Sequence, residues 1–250
     1  MSEIIFKEDS IDLIGDLIKS LTFPIEIKSV VNTGGGKHTL TVCNMYHAQP
    51  GFKVTIAGKS YLIKDITPGS VPQCATATLD VMKIEGDASN IVATTFDLYK
   101  PHFFHGTPIA QGVELSKKTK AINKVPMAWF YEQFTDKFFE SELINKEREI
   151  RFRLFFLTQA DPDKWFTDDA YKYAIRPMHR LAEYFIEKLK SMPVRFDVDN
   201  IEFDMSNYAK FGVFISNRGM DKKLWHDNLA GVEVSFSPLT VYKKNVCLDC

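Results

Sequence analysis

Apolar and polar positions change their period several times along this chain, and each change marks an element boundary. Ile11, Leu13, Ile14, Leu17, Ile18 and Leu21 recur at the spacing of one helical face, Asp9 or Ser10 stands where a cap belongs, and Pro24 ends the run. This predicts a short amphipathic helix in need of a partner surface. From Ile25 the period becomes two: Ile25 and Ile27 alternate with Glu26 and Lys28, Leu40 and Val42 with Thr39 and Thr41, and Phe52, Val54 and Ile56 with Lys53 and Thr55. Ala57-Gly58-Lys59 reads as a tight turn into a strand from Tyr61 to Ile66, and a further strand is expected from Ala77 to Met82. Residues 25–84 thus predict a small antiparallel barrel or sandwich.

A second unit begins after Pro126. Met127 to Phe134 is dense in apolar residues, and Ile150 to Leu157 places Ile150, Phe152, Leu154 and Phe156 on one face with Arg151, Arg153, Phe155 and Leu157 on the other, so both faces are expected to be at least partly covered. Thr167, Asp168 and Asp169 open a helix, because acids favour its positive end, and Tyr171, Ala174, Ile175, Met178, Leu181, Ala182, Phe185 and Leu189 form its stripe. Pro177 lies inside that stripe, lacks an amide proton, and predicts a kink. Strands are expected at 196–203, 210–215 and 231–241.

The expected fold class is α+β: a β-sheet covered by a long kinked helix, with the small barrel or sandwich inserted after the N-terminal helix. In that scheme residues 1–24 pack on the C-terminal domain, 25–84 are the insertion, 85–125 an extended linker or arm, 126–242 the α+β domain and 243–250 a tail. The connector, with Pro101, Gly106, Pro108 and Gly112 ahead of Lys117, Lys118, Lys120 and Lys124, is long enough to be a docking arm as well as a solvated linker.

Lys and Arg number 31 against 32 for Asp and Glu, so no global field draws the chain to nucleic acid or anionic lipid, and any such contact needs a local patch. The N-terminus lacks a cationic start followed by an apolar run, and no segment has the length and apolarity to span a bilayer, so a soluble, unexported chain is expected. Cys43, Cys74, Cys247 and Cys250 are too few and too scattered for a disulfide framework, and reduced thiols are expected.

Catalytic grammar is sparse. Thr33-Gly34-Gly35-Gly36-Lys37-His38 lacks phosphate-loop spacing and leads into a strand, so a hairpin loop explains it better. His102/His105 and Cys247/Cys250 are each half of a tetrahedral zinc site. Asp161, Asp163, Asp168 and Asp169 cluster as hard-cation ligands do, although capping and solvation account for them too. There is no G-x-S-x-G elbow and no H-E-x-x-H. The enzymatic alternative is a metal-dependent or small-molecule-processing activity using the His102/His105 loop and the Asp161–Asp169 loop.

Several segments between about 102 and 242 carry a resemblance: His105-Gly106-Thr107-Pro108-Ile109, Lys124-Val125-Pro126 with Trp129 to Tyr131, the helix opening from Trp165 to Met178, Lys210-Phe211-Gly212-Val213, and Asp227-Asn228-Leu229-Ala230-Gly231-Val232-Glu233. Together they resemble the neck and tail-completion (tail-terminator-like) ring proteins of tailed bacteriophages, of the type found in phages of Bacteroidetes. That resemblance implies a non-enzymatic virion protein, assembled in the host bacterial cytoplasm. It would form a homo-oligomeric ring as connector, terminator or completion protein, with neck, portal-side or tail proteins as neighbours. It further implies no cofactor, no metal and no membrane, with at most incidental contact with DNA in the lumen. A closed ring needs two unlike complementary patches per subunit. Arg218, Met220, Lys222, Lys223 and Trp225, in a loop with the composition favoured at contact centres, are expected on one of them, the alternative being that Trp225 folds back onto its own sheet as a core lid, and His105, Thr107 and Ile109 are further interface candidates.

Overall fold

Alternating residues such as Ile25/Ile27 and Leu40/Val42 build strands because every second side chain reaches the same face. In the computed structural model the described residues are 8–69, 72–74, 77–107, 125–139, 146–160, 167–211, 213–215, 221–223 and 228–243. The first sheet contains β1 (Pro24–Gly34), β2 (Lys37–Cys43), β3 (Lys53–Ile56), β4 (Lys59–Thr67), β5 (Pro72–Cys74), β6 (Ala77–Gly86) and β7 (Thr95–Asp97), in the order β3-β4-β6-β2-β1-β7 with β5 paired to β6. Its pairs are antiparallel, and the sheet curls into a nearly closed barrel. Bulges between Ile27 and Ser29 and between Ile63 and Asp65 supply the bending that closure requires. The glycine run is the β1–β2 hairpin loop: Gly35 and Gly36 have φ of 60° and 76°, and a Cβ on Gly36 would meet the Gly86 carbonyl oxygen at 2.2 Å.

The second sheet contains β8 (His102–Gly106), β9 (Met127–Tyr131), β10 (Thr135–Phe138), β11 (Lys146–Gln159), β12 (Phe203–Phe211) and β15 (Leu229–Tyr242), ordered β12-β15-β11-β9-β8 with β10 paired to β11. The short strands β13 (Val213–Ile215) and β14 (Asp221–Lys223) pair separately. All pairs of the second sheet are antiparallel except β8 with β9. One face packs Phe152, Leu154, Phe156, Val234 and Phe236 into the main core, and the other carries Trp129, Phe155, Leu157 and Leu229. Trp129 stacks on Phe155 at 4.9 Å and donates its indole N–H to Gly106 O at 3.1 Å.

Two helices complete the described fold. Helix α1 (Ser10–Ser20) is capped by the Asp9 carboxylate, which accepts from the Ile11 N–H at 2.7 Å. It lies against β8, where Gly15 leaves room for the Phe103 ring. Helix α2 (Arg176–Lys190) sets Phe185 against Phe156 and Phe236 at 5.8 and 6.3 Å. A four-residue helical turn, Thr167–Ala170, and a π-helical segment, Tyr171–Ile175, precede α2, with the Arg176 N–H bonding to Tyr171 O. Pro177 cannot donate in the ladder, and the wider π turn accommodates that gap. Tyr171, expected on the buried stripe, is 54% exposed because the π register rotates it away.

The α+β expectation is therefore corrected. The chain is mostly β, 52% strand against 19% helix, with two helices and a nearly closed barrel-like sheet rather than a sheet covered by a long kinked helix. Short strands with few alternations account for part of the difference: β7 and β8 fall within the stretch read as a linker, and β10 was not anticipated. The 14-residue β11 and β15 also extend beyond their alternating centres. Residues of the barrel, α1, the second sheet and α2 share one hydrophobic cluster, so the barrel's core is continuous with that of the sheet. Cys43 is disulfide-bonded, which corrects the expectation of reduced thiols there. Four cysteines cannot frame a fold, but a single bridge needs only two that the topology brings together.

Buried polar groups join the two sheets. Asp80, without any exposure, accepts from the N–H groups of Met45 at 2.9 Å and Gly69 at 2.8 Å, and faces Arg180 Nη1 of α2 at 3.5 Å. Thr158 of β11 donates to Gln49 Oε1 at 2.7 Å, while the Gln49 N–H donates to the Tyr99 hydroxyl. His47, fully buried, bonds through Nε2 to Tyr99 O at 2.9 Å and meets the Phe23 ring edge-on at 4.5 Å. Its Nδ1 has no hydrogen-bond partner among the described residues.

Two predictions follow from these contacts. A Cβ on Gly231 would stand 1.9 Å from Phe156 O, so Gly231→Ala must push β15 off β11; a loss of about 2 kcal/mol in urea unfolding is expected. Burial lowers the His47 pKa from 6.5 to about 4, and protonating Nδ1 would bury a donor with no acceptor among the described residues. Because the folded-state value is the lower one, protonation favours the unfolded chain. This stabilisation is complete above about pH 6.5 and is lost as pH falls toward 4, by roughly 3 kcal/mol in all. His47→Gln keeps a donor for Tyr99 O, and its stability should fall less than the wild type's over that interval in unfolding measured at each pH.

Candidate functional site

Where α1 runs past the end of α2, the two helices fail to close on each other. Leu13, Asp16, Leu17 and Ser20 recur on one side of α1 at the spacing of a helical face, and across from them the chain turns at Ser191 and runs through Met192 and Val194 into Phe196. Between them lies a groove of about 550 Å³ whose floor and walls are largely apolar and whose rim carries Glu8, Asp16, Lys188 and Arg195. Val194 is 74% exposed at its edge. Soluble proteins leave single apolar residues in water freely, but an apolar concavity with a charged rim is a shape that receives another apolar group.

One end of the groove is closed by charges taken out of water. Arg195, 9% exposed, donates through Nη2 to Glu8 at 3.1 Å and through Nη1 to Glu147 at 3.2 Å and to the Tyr242 carbonyl at 2.5 Å. Arg148, 1% exposed, lies 3.4 Å from Glu147 and 3.8 Å from Asp136. Ser10, the first residue of α1, donates to Asp136 at 2.8 Å. The network thus pins the start of α1 to β10, β11 and the end of β15. Among the described residues, Nε of Arg195 and Nε and Nη2 of Arg148 are buried without a hydrogen-bond partner.

Other chemistry is less well assembled. A second cleft, about 520 Å³, lies beside Lys37, Thr39, Lys64, Lys83 and Glu85 of the barrel. Lys64 pairs with Glu85 at 3.2 Å and Lys83 with Asp65 at 3.0 Å, so its lysines are largely compensated. On the second sheet Glu233 accepts from Tyr208 at 2.5 Å and Ser235 at 3.0 Å, with Arg153 at 3.4 Å. The carboxylate holds the Tyr208 hydroxyl protonated and pushes its pKa up to about 12, opposite to what an activated phenolate needs.

The residues singled out from sequence are scattered. His102 and His105 sit on β8 at an odd spacing and project to opposite faces: His102 neighbours Phe104, and His105 neighbours Phe103. They do not converge on one ion, and His105 Nδ1 lies 2.9 Å from Glu132. Thr107 is exposed just beyond β8. Asp168, exposed, and Asp169, half-buried, occupy the helical turn before the π segment. Lys222 and Lys223 belong to β14, described by its backbone. Ile109, Asp161, Asp163, Arg218, Met220, Trp225, Cys247 and Cys250 lie outside the described residues. Among the described residues no group of three or more His, Cys, Asp or Glu could hold a metal ion, and no helix is long and apolar enough to cross a membrane. The groove itself was missed from sequence, although Leu13 and Leu17, set to one side of the Ile14/Ile18/Leu21 line, signalled a stripe wider than one partner covers.

The closing network generates a prediction. Arg195→Met leaves Glu8 and Glu147 facing each other without their shared cation, and a loss of about 3 kcal/mol in chemical denaturation is expected. Adding Glu147→Leu should recover part of that loss, because the second change removes the stranded charge. No protein-family model, curated protein or solved structure matches this chain.

Proposed function

We propose that this chain is a non-catalytic structural protein of a tailed-bacteriophage particle, forming a homo-oligomeric ring at the neck or tail as connector, terminator or completion protein. The observation that carries the reading is where the resembling segments fall. Described parts of several of them fall in the second sheet and the helical segment beside it, with His105 and Gly106 on β8, Trp129 to Tyr131 on β9, Thr167 to Met178 leading into α2, Lys210 and Phe211 on β12, and Leu229 to Glu233 on β15, while Val213 lies on the separately paired β13. The groove beside α1 adds a surface of the kind that ring closure needs, since a heterologous contact joins an apolar concavity on one subunit to an unlike patch on the next.

Neighbouring neck, portal-side or tail proteins would stack on such a ring, which would reside in the virion after assembly in the host cytoplasm. The test is the mass and shape of the purified full chain, by light scattering and electron microscopy, with peptide identification in purified particles. Closed rings of one mass and the chain's presence in particles are expected. A strictly monomeric chain at every concentration tried, together with absence from particles, overturns the proposal.

A further inference from the structure

We infer that the open edge of β12 pairs antiparallel with the same edge of a second copy of this chain, so that the second sheet runs on across a two-fold axis. The contact goes beyond the ring reading, which needs unlike patches on each subunit. A two-fold contact instead joins chains, or whole rings, in pairs.

β12 is the last strand of its sheet. β15 pairs with one of its sides, and among the described residues no strand pairs with the other. None of its nine residues is buried, whereas β15 beside it is buried along most of its length. The backbone N–H and C=O groups along such an edge already hold strand geometry, and another strand is what completes them.

The edge carries few of the devices that turn strands away. It has no proline, and its charges are Asp204 and Lys210 alone. Its bulge falls between Tyr208 and Phe211, so Phe203–Tyr208 keeps an unbroken register against Phe236–Gly231. Phe203 and Met205 on one face and Tyr208 on the other are half-buried, each packed against its own core with part of the side chain left open. A neighbouring strand would cover those parts, because side chains opposite each other on adjacent strands lie only about 5 Å apart.

Charge decides the occupant. Glu202 and Asp204 stand at the start of the strand and Lys210 near its end, all three exposed. In an antiparallel pair of identical strands the start of each lies beside the end of the other. Lys210 of each copy therefore meets the Glu202/Asp204 end of its neighbour, twice over by symmetry. A parallel pair would set acid beside acid and lysine beside lysine. A second copy thus fits this edge in direction as well as in charge.

Two charge reversals in the full chain test this, both at exposed positions outside the described core. Lys210→Glu makes both ends of the edge acidic, and Asp204→Lys places a cation toward each end. Each should weaken self-association about tenfold in sedimentation while leaving the monomer's melting temperature unchanged. Mixed in equal amounts, the two variants should recover the wild-type affinity as heterodimers, because the acidic edge of one then lies along the basic edge of the other. Amide exchange should protect Phe203–Tyr208 at concentrations where the wild type associates and not in dilute solution. Association that neither reversal weakens, or that the mixture fails to restore, places the contact elsewhere and overturns the inference. Closed rings unaffected by both reversals do the same and leave the ring proposal standing. A wild-type chain that stays monomeric at every concentration overturns this contact outright, whereas the ring proposal falls only if the chain is also absent from particles.

Discussion

A carboxylate without exposure to water must find its partners inside the protein or forfeit its charge, and Asp80 finds them in three different parts of the chain. The Met45 and Gly69 amides come from loops of the barrel, and the Arg180 guanidinium comes from α2 on the second sheet. One side chain on β6 therefore fixes how the barrel meets the helix. Thr158 with Gln49, and His47 with Tyr99, repeat the arrangement nearby. Apolar surfaces tolerate sliding, whereas buried hydrogen bonds do not, because a small shift strands a donor or acceptor in a low-dielectric interior. The continuous apolar core supplies most of the adhesion between the layers; these polar contacts select one docking angle.

The groove is a by-product of that angle. With α2 held over β11 and β15, and α1 held against β8 at its middle by Gly15 and at its start by Ser10 on Asp136, the C-terminal end of α2 and the remaining face of α1 do not close on each other. The turn from Met192 to Phe196 fills part of the gap, and Phe196 bridges to Val241. What stays open is apolar because both helices present the margins of amphipathic stripes there. Arg195 then converts the blind end into a charged stop, bringing Glu8 and Glu147 onto one guanidinium.

Much of the local structure was legible from spacing alone. The face of α1, the strands at 25–27 and 40–42, the glycine hairpin and the Ala57-Gly58 turn stand where period and turn chemistry put them. The architecture was less legible, for identifiable reasons. β7 has three residues and β8 only five, too few to establish an alternation, so a stretch that contributes to both sheets read as connector. His102 and His105 looked like paired ligands because sequence spacing carries no facing information until the element is known; on a strand, an interval of three separates them. The buried charges Arg148 and Arg195 carry no sequence signal at all, since nothing nearby distinguishes them from surface arginines. A continuous core between two β-layers is likewise a property of docking, invisible to any local period.

The π-helical segment before α2 decouples two faces of one rod. An α-helix ties the direction of every side chain to the one before it, so a buried residue at Met178 dictates the outlook of positions a turn or two upstream. The extra residue in the wider turn resets that phase. Tyr171 looks outward while Ala174, Ile175 and Met178 stay in the core. Sequence drift upstream of Pro177 is consequently uncoupled from the packing downstream. The first two turns of the rod are free to diverge, or to acquire a role at the surface, without the rest of the helix having to be re-invented around them.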